Sequence, residues 1–584
     1  MKQFFLACIL FSCMNACSYG QERIFSTGQT LSPNDIAIRK VNTALAAIAN
    51  LYVDTVNISK LADDAIVGLL DNLDPHSEYM TAEEVRDLNE PLQGNFDGIG
   101  IQFNIALTDT LYVIEVIKSG PAEKVGMLAG DKIIYVNDTL IAGVKMKNND
   151  VMRRLKGPKG TVVRVKVLRS GYPGLLDFTI IRDRIPVYSV SSGYMVDKKT
   201  AYIKIDRFAR TTNQEFEETV KKLQAQGMEN LILDLQDNGG GYLDAAIELS
   251  NEFLRPNSLI VYTQGVHQRR REEKSDNSGT FKNGKLVVLV NESSASSSEI
   301  FSGAIQDWDR GVIVGRRTFG KGLVQAPIPL PDGSMIRLTT ARYYTPSGRS
   351  IQKPYTKGDL KSYAKEVVDR YNRGEMISAD SIHFPDSLKY NTLINNRTVY
   401  GGGGIMPDYF IPIDTASAIF VAGTTPLYRD IYNRGVLIKY VRTLIEANRK
   451  NYLSKYPSFD SFKKNFVATD NLLNGLISMY NKEKGDETAQ AVISISPDKE
   501  KKATTEVEVE KLAQTEEQQK KDLEKSKPLF LLQIKMLIAR EVYGENEYYQ
   551  LLNPLLDTYK KAVEIISSDK SYNQLLTQER KQKK

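Results

Sequence analysis

Along the chain, apolar and polar positions alternate with changing period. Ile36, Ile38, Val41, Leu45, Ile48, Leu51 and Tyr52 form one stripe, and Leu61, Ile66, Leu69 and Leu70 a second. Both stripes predict amphipathic helices within residues 33–90. Asp74-Pro75 ends them, because proline disfavours helix at the residue before it. Between 180 and 412 the pattern changes to short apolar runs separated by helical periods. Strands are expected at Thr200–Ile205, Leu231–Leu235, Leu259–Thr263 and Leu286–Val290, and helices at Glu215–Gln224 and Tyr242–Phe253. That alternation predicts a mixed α/β core. His267–Asn277 reads as a charged hairpin or loop, and 353–400 as a polar insertion. Beyond 415, helical periods run over 427–447, 459–481 and 528–566. Residues 484–527 carry few large apolar side chains and predict a linker or an exposed charged helix.

Two junctions carry chemistry. The apolar run Leu286–Val290 leads into five serines between Ser293 and Ser298, and a helical face of Ile300, Phe301, Ala304 and Ile305 follows. A further strand, Val312–Gly315, leads to Gly320-Lys321-Gly322. Three readings of this stretch compete. The serines can simply cap a helix. Gly315-x4-Gly320-Lys321 resembles a phosphate loop, but Gly322 stands where Ser or Thr is needed, and Pro327 and Pro329 forbid the helix that must follow. In the third reading, serine is a nucleophile and lysine its base. A second junction, Gln236-Asp237-Asn238-Gly239-Gly240-Gly241 after the strand at 231–235, favours the third. Its glycines let backbone N–H groups approach a ligand, as an oxyanion hole requires, although a loose βα turn would look alike.

Together these residues resemble the carboxy-terminal processing peptidases (tail-specific proteases). The resemblance rests on Ser294-Ala-Ser-Ser-Ser-Glu299, Gln306-Asp307, Thr318-Phe-Gly-Lys-Gly322, Gln325 and the turn Asp234–Gly241. It implies Ser296 as nucleophile, Lys321 as general base and Gln325 as the residue that orients the lysine. Gly240 and Ser297 would supply the oxyanion hole. Gln236 replaces the family's usual arginine, Gly239 its usual proline, and Ser297 an alanine. The fold implied is a multidomain α/β chain whose mixed α/β protease core is of crotonase/Clp-like type.

Within 91–170, Gly98-Ile99-Gly100-Ile101, then Gly120-Pro-Ala122, Gly126 and Gly130-Asp-Lys-Ile-Ile134, resemble a PDZ domain. Successive N–H groups at Gly98–Ile101 would nest a substrate's terminal carboxylate, and the adjoining strand edge would add the peptide as a strand. Asp74-Pro-His-Ser-Glu-Tyr-Met80 resembles the signature preceding that domain in the family. Gly404-Ile-Met-Pro-Asp408 resembles the end marker of its core.

Composition narrows the alternatives. The 584 residues are enough for about three or four domains. A hydrophobic share of 41% and a charged share of 25% are those of a folded protein. The net charge of +6 is small for this length, and no basic stripe with interleaved aromatics points to nucleic acid. The three cysteines, Cys8, Cys13 and Cys17, all lie in the first seventeen residues. Elsewhere there is no disulfide framework, zinc–cysteine site or thiol nucleophile. The histidines His76, His267 and His383 are scattered and read as surface or turn residues. No metal and no cofactor is expected.

Met1-Lys2 followed by Phe4–Phe11 reads as an export signal, too short to span a bilayer. Two processing routes stay open: cleavage before Gln21, or a lipid anchor on Cys13. Expected domains are a signal peptide 1–20, a helical region 21–90, a PDZ domain 91–170, a protease core 180–412 and a helical extension 415–584 that packs on the core or supports a homo-oligomer. The expected activity is that of an exported, periplasmic or cell-envelope serine endopeptidase acting on proteins with free C-termini. A catalytically silent PDZ adaptor or chaperone is the main alternative, and a crotonase-like acyl-CoA enzyme a remoter one.

Overall fold

A computed structural model describes residues 32–105, 111–117, 119–128, 131–169, 172–414, 422–493 and 506–577. The proposed leader and Cys13 lie outside them. The chain falls into two compact units, residues 1–73 and 74–584. The described part of the first is a pair of helices, Pro33–Leu51 and Ile58–Leu70. The earlier helix opens on a capping box, Ser32 and Asp35 each bonding the other's backbone N–H.

The second unit centres on a six-stranded sheet in the order Val190–Met195, Thr200–Ile205, Asn230–Asp234, Leu286–Val290, Val312–Gly315, Tyr409–Phe410. The first pair is antiparallel and the rest are parallel. A parallel sheet is covered on both faces, which is why Leu286–Val290 is apolar throughout rather than alternating. Ala201, Ile203, Leu231, Leu233, Val288 and Ile313 face helices Thr212–Gln224, Leu243–Asn251 and Ser297–Asp307. Tyr202, Ile232, Val287, Leu289, Val312 and Val314 face the other way, onto Tyr559, Ala562, Ile565, Ile566 and Tyr572.

That second cover comes from the end of the chain. Helices Asp557–Ser567 and Asp569–Thr577 complete the protease core itself, so the expected boundary at 412 does not close it. The preceding segment has its own core. Helices Pro426–Asn433, Val436–Lys455, Phe459–Asn465, Asp470–Ile493 and Glu506–Val542 bury Ile431, Val441, Leu476, Phe530, Ile534 and Ile538. Of the charged stretch 484–527 expected as a linker or exposed helix, residues 484–493 continue the helix Asp470–Ile493 and residues from Glu506 onward belong to the helix Glu506–Val542.

The PDZ sheet also outruns its expected end. Leu175–Ile181 pairs along its whole length with Val162–Leu168, so the sheet continues past 170. The antiparallel pairing of these two strands makes a hairpin within the domain. A separate five-stranded sheet contains Glu78–Met80, Leu259–Gln264, Arg271–Lys274, Leu323–Pro329 and Met335–Tyr344, and forms one wall of the site.

Candidate active site

Asn291–Ser296 is a sharp strand-to-helix turn. Ser296 sits at φ 54°, ψ −112°, a conformation non-glycine residues take only when their surroundings hold them there. The surroundings are visible. Ser294 Oγ donates to the Leu235 carbonyl (2.7 Å), Ala295 N–H to the Asn238 carbonyl (3.0 Å) and Ser298 Oγ to the same carbonyl (2.8 Å). Asn291 and Asp237 exchange two further bonds, of 3.0 and 2.8 Å. The serine turn is thus bolted to the glycine turn. At Gly240 the packing leaves no room: a Cβ would lie 2.8 Å from both Ala295 O and Ser296 Cβ.

Glu299, fully buried three residues after the serine, joins this turn to the lysine. Its Oε2 accepts from the N–H of Ser296 (2.9 Å) and of Lys321 (2.8 Å). Its Oε1 accepts from Gly320 N–H (2.7 Å) and Thr318 Oγ (2.6 Å). Burial pushes its carboxyl up to about 7 against the pull of these four donors. Tyr343 makes a second tie, its hydroxyl bonding the carbonyls of both Lys321 and Ser296. Gly320, at φ 91°, lets the lysine turn pass under Lys353 and Gly404.

Burial and, after it, the Arg337 charge lower the Lys321 ammonium to about 8 against the pull of Glu78, Glu299 and Asp74. Ser296, Ser297, Lys321, Gln325 and Gly239–Gly241 line one cleft of about 980 Å³. Its walls are the helix Ala82–Leu92 and the strands Leu323–Pro329 and Met335–Tyr344.

The sequence model of peptidase family S41 matches residues 199–362, that of the PDZ domain 98–180, and that of the activating protease CtpB N-terminal domain 10–84. A family of unknown function matches 427–544. The carboxy-terminal-processing protease of Bartonella bacilliformis is 38% identical over 306 residues, 52% of this chain and 69% of that protein. The chain belongs to the carboxy-terminal processing protease family. Carboxy-terminal processing protease CtpA of Bacillus subtilis is 34% identical over 345 residues, 58% of this chain and 72% of that one. Among solved structures, the photosystem II D1 C-terminal processing protease is 26% identical, with 55% of this chain and 91% of that one covered at a TM-score of 0.31.

Two family-derived expectations meet a different arrangement here. Gln325 lines the cleft, yet its amide is engaged away from Lys321: Nε2 donates to the His76 carbonyl (2.7 Å), and Oε1 accepts from Arg337 (2.8 Å). Gly240 N–H donates to the Asn238 side-chain oxygen (2.9 Å), while Ser297 N–H meets no acceptor among the described residues.

His76 departs from its expected role as an ordinary turn residue. It is half-buried, its Nε2 is 2.8 Å from Tyr363 Oη, and burial together with the Lys321 charge pushes it down to about 4. Asp74 shapes this turn by accepting from the N–H groups of His76 (2.9 Å) and Ser77 (3.0 Å), and from Thr339 Oγ (2.9 Å). Tyr363 belongs to helix Leu360–Asn372 of the polar insertion, so that insertion reaches His76 and the surroundings of Lys321. Neither the role of Glu299, visible only as the last letter of its motif, nor those of Arg337, Tyr343 and Tyr363 were read from the sequence. Their partners lie from 3 positions away, Ser296 for Glu299, to 287, His76 for Tyr363.

In the PDZ domain, Gly98–Ile101 joins strands Asn95–Gly98 and Ile101–Ile105. Ile99 is buried, with its carbonyl accepting from Ala122 N–H (2.8 Å), and Gly100 takes φ 77° while its carbonyl accepts from Ile117 N–H (2.9 Å). The strand Ile101–Ile105 lies at the edge of its sheet. Among the described residues, no group of three or more His, Cys, Asp or Glu side chains could hold a metal ion, and no helix is long and apolar enough to cross a membrane.

Proposed function

We propose that the chain is an exported serine endopeptidase with a Ser296/Lys321 dyad, which selects protein substrates by a free C-terminus held on its PDZ domain. The observation that carries this reading is the Glu299 carboxylate, which bonds the backbone N–H of Ser296 and of Lys321 with one oxygen. An adaptor has no need of such a registration.

In the proposed cycle, neutral Lys321 takes the proton of Ser296 Oγ as that oxygen attacks the scissile carbonyl. The bond to the leaving amine breaks after the lysine returns the proton to it, and water then releases the acyl group. A lysine titrating near 8 is about one-tenth neutral at pH 7, against well under one part in a thousand at the solvated value of about 10.4. Ser297 N–H, at the first turn of the buried helix, faces the developing oxyanion. Gly240 joins it if its N–H exchanges Asn238 for substrate. Gly98–Ile101 receives the terminal carboxylate, and the Ile101–Ile105 edge the last residues as an added strand.

The test is β-casein cleavage by Ser296→Ala and Lys321→Arg beside wild type. Both variants should lose about 10⁴-fold or more in kcat, because arginine keeps the charge but does not deprotonate. Substantial turnover by either would refute the dyad. Calorimetry with a substrate's C-terminal peptide as acid and as amide tests the PDZ site: equal affinities would remove it from the proposal.

A further inference from the structure

We propose that Lys204 is a positioning residue that holds the glycine turn of the site from behind. This deepens the proteolytic reading above and rests on it.

Lys204 is the last residue but one of the strand Thr200–Ile205 and stands opposite Asp234 in the neighbouring strand. Its side chain is 13% exposed and turns toward the 234–241 loop. Nζ donates to the Gln236 carbonyl at 3.0 Å and lies 3.8 Å from Asp234 and 3.9 Å from Asp206. Among the described residues it is the one cation within ion-pair distance of the buried Asp234 carboxylate, which also accepts from Tyr202 Oη (2.6 Å) and Gln236 N–H (2.8 Å).

The position of that bond in the chain gives it its consequence. The carbonyl of Gln236 belongs to the peptide unit leading into Asp237, and Asp237 sits at φ 63°, where non-glycine residues are uncommon. Rotating that peptide would relax Asp237 to negative φ and carry Asn238 and the three glycines with it. Two contacts oppose the rotation: Asn291 on Asp237 from the serine side, and Lys204 on the Gln236 carbonyl from the opposite side. Gln236 offers only an amide to Asp234, at 3.4 Å, so the positive charge behind the turn comes from the adjacent strand. Gln236, Asp237, Asn291 and Lys204 also line a separate cavity of about 400 Å³ under the C-terminal helices, away from the substrate cleft. Lys204 therefore acts on the turn without touching substrate.

The experiment compares wild type, Lys204→Met and Lys204→Arg in full-length protein by β-casein turnover and by hydrogen exchange of the 236–241 amides. With Lys204→Met, kcat should fall by about tenfold to a hundredfold while KM stays within about twofold, the signature of a displaced transition-state contact. Exchange across 236–241 should quicken. Lys204→Arg, which keeps a cation and a donor, should restore both. Should Lys204→Met not fold, Lys204→Gln, a donor without charge, carries the same comparison. Unchanged kcat or unchanged exchange in the neutral variants overturns the proposal, as does an arginine variant as poor as the methionine one. If wild type itself leaves casein intact, the proteolytic reading fails, and the exchange arm still decides whether Lys204 holds the turn.

Discussion

The serine turn and the lysine turn face each other across one cleft but are built on different plans. The serine turn is local. It follows a buried strand, precedes a buried helix, and is bonded to a second strand-to-helix junction next to it in the sheet. The lysine turn, 317–322, has no helix to finish it. Its shape comes from groups scattered along the chain: Glu299 on three of its residues, Gln352 on Gly322 N–H (2.8 Å), Ile405 N–H on Thr318 (2.6 Å) and Arg370 on the carbonyls of Arg317 and Thr318. A nucleophile needs one strained backbone position, which a strand and a helix can impose. A lysine base needs a depressed pKa, which depends on every charge and surface that dries it.

Outside the proposed dyad itself, the largest effect should come from the residue common to both turns. Glu299→Gln leaves one acceptor oxygen and presents an NH₂ group to N–H donors that have no other partner among the described residues. Buried hydrogen bonds to a charged group contribute about 1.5–3 kcal/mol each, so the loss should exceed about 100-fold in kcat and be accompanied by a fall in Tm. Turnover and calorimetric melting of the same preparation check this. A variant that melts early but turns over normally would show that Glu299 serves the fold alone.

The same division explains how much could be read before the structure. The serine and glycine turns were legible because each is a short motif between apolar runs: Leu286–Val290, Ser293–Ser298, the helix from Glu299. Their chemistry is written in adjacent letters. The central strands were legible for the same reason. The cover of the second sheet face was not, because Tyr559, Ile565 and Tyr572 follow an ordinary helical period and nothing in that period names the partner face. Nor could Gln325 be assigned a partner from its spacing to Lys321. Its actual partner, Arg337, is set by the pairing of strands Leu323–Pro329 and Met335–Tyr344, a register the sequence does not display.

Arg337 sharpens the comparison on the lysine side. Its charge is the second largest influence lowering Lys321, after burial. Arg337→Met should therefore raise the lysine from about 8 toward its solvated value and move the rising limb of kcat against pH upward. With the proposed dyad the active form is the neutral amine, so a limb displaced upward by one pH unit means a rate about tenfold lower at pH 7 and an unchanged alkaline plateau. A pH–rate profile from pH 6 to about 10.5 resolves the two. Loss of the plateau instead would mean that Arg337, through Gln325 and Glu78, holds substrate or the wall of the cleft. In wild type the acid side should be steeper than one proton, since Glu299, pushed up to about 7, must also be ionised to keep four donors.

The smallest effect should be at His76, and it separates a histidine that supports the lysine from one that replaces it. The ring contacts Tyr363, is held down to about 4 by burial and by the Lys321 charge, and so stays neutral wherever the enzyme would work. Its role here is steric and polar: Nε2 meets Tyr363 Oη, and its carbonyl receives Gln325. His76→Phe keeps ring and burial and removes one hydrogen bond with a net contribution of about 0.5–1.5 kcal/mol, which corresponds to about twofold to tenfold in kcat. Tyr363→Phe removes the same bond from the other end together with a longer contact from Gln352 Nε2 (3.4 Å), so its loss should equal or slightly exceed that of His76→Phe, and the double variant should lose no more than Tyr363→Phe alone. Neither substitution removes a charge, so the limb set by Lys321 should stay near pH 8 in both. Complete loss of turnover in His76→Phe with an intact fold would transfer the base from lysine to histidine. Non-additive losses well beyond the single bond would place helix Leu360–Asn372 among the elements that dry the lysine. A matched, modest pair of losses with the limb unmoved is what a lysine base with a neutral neighbour requires.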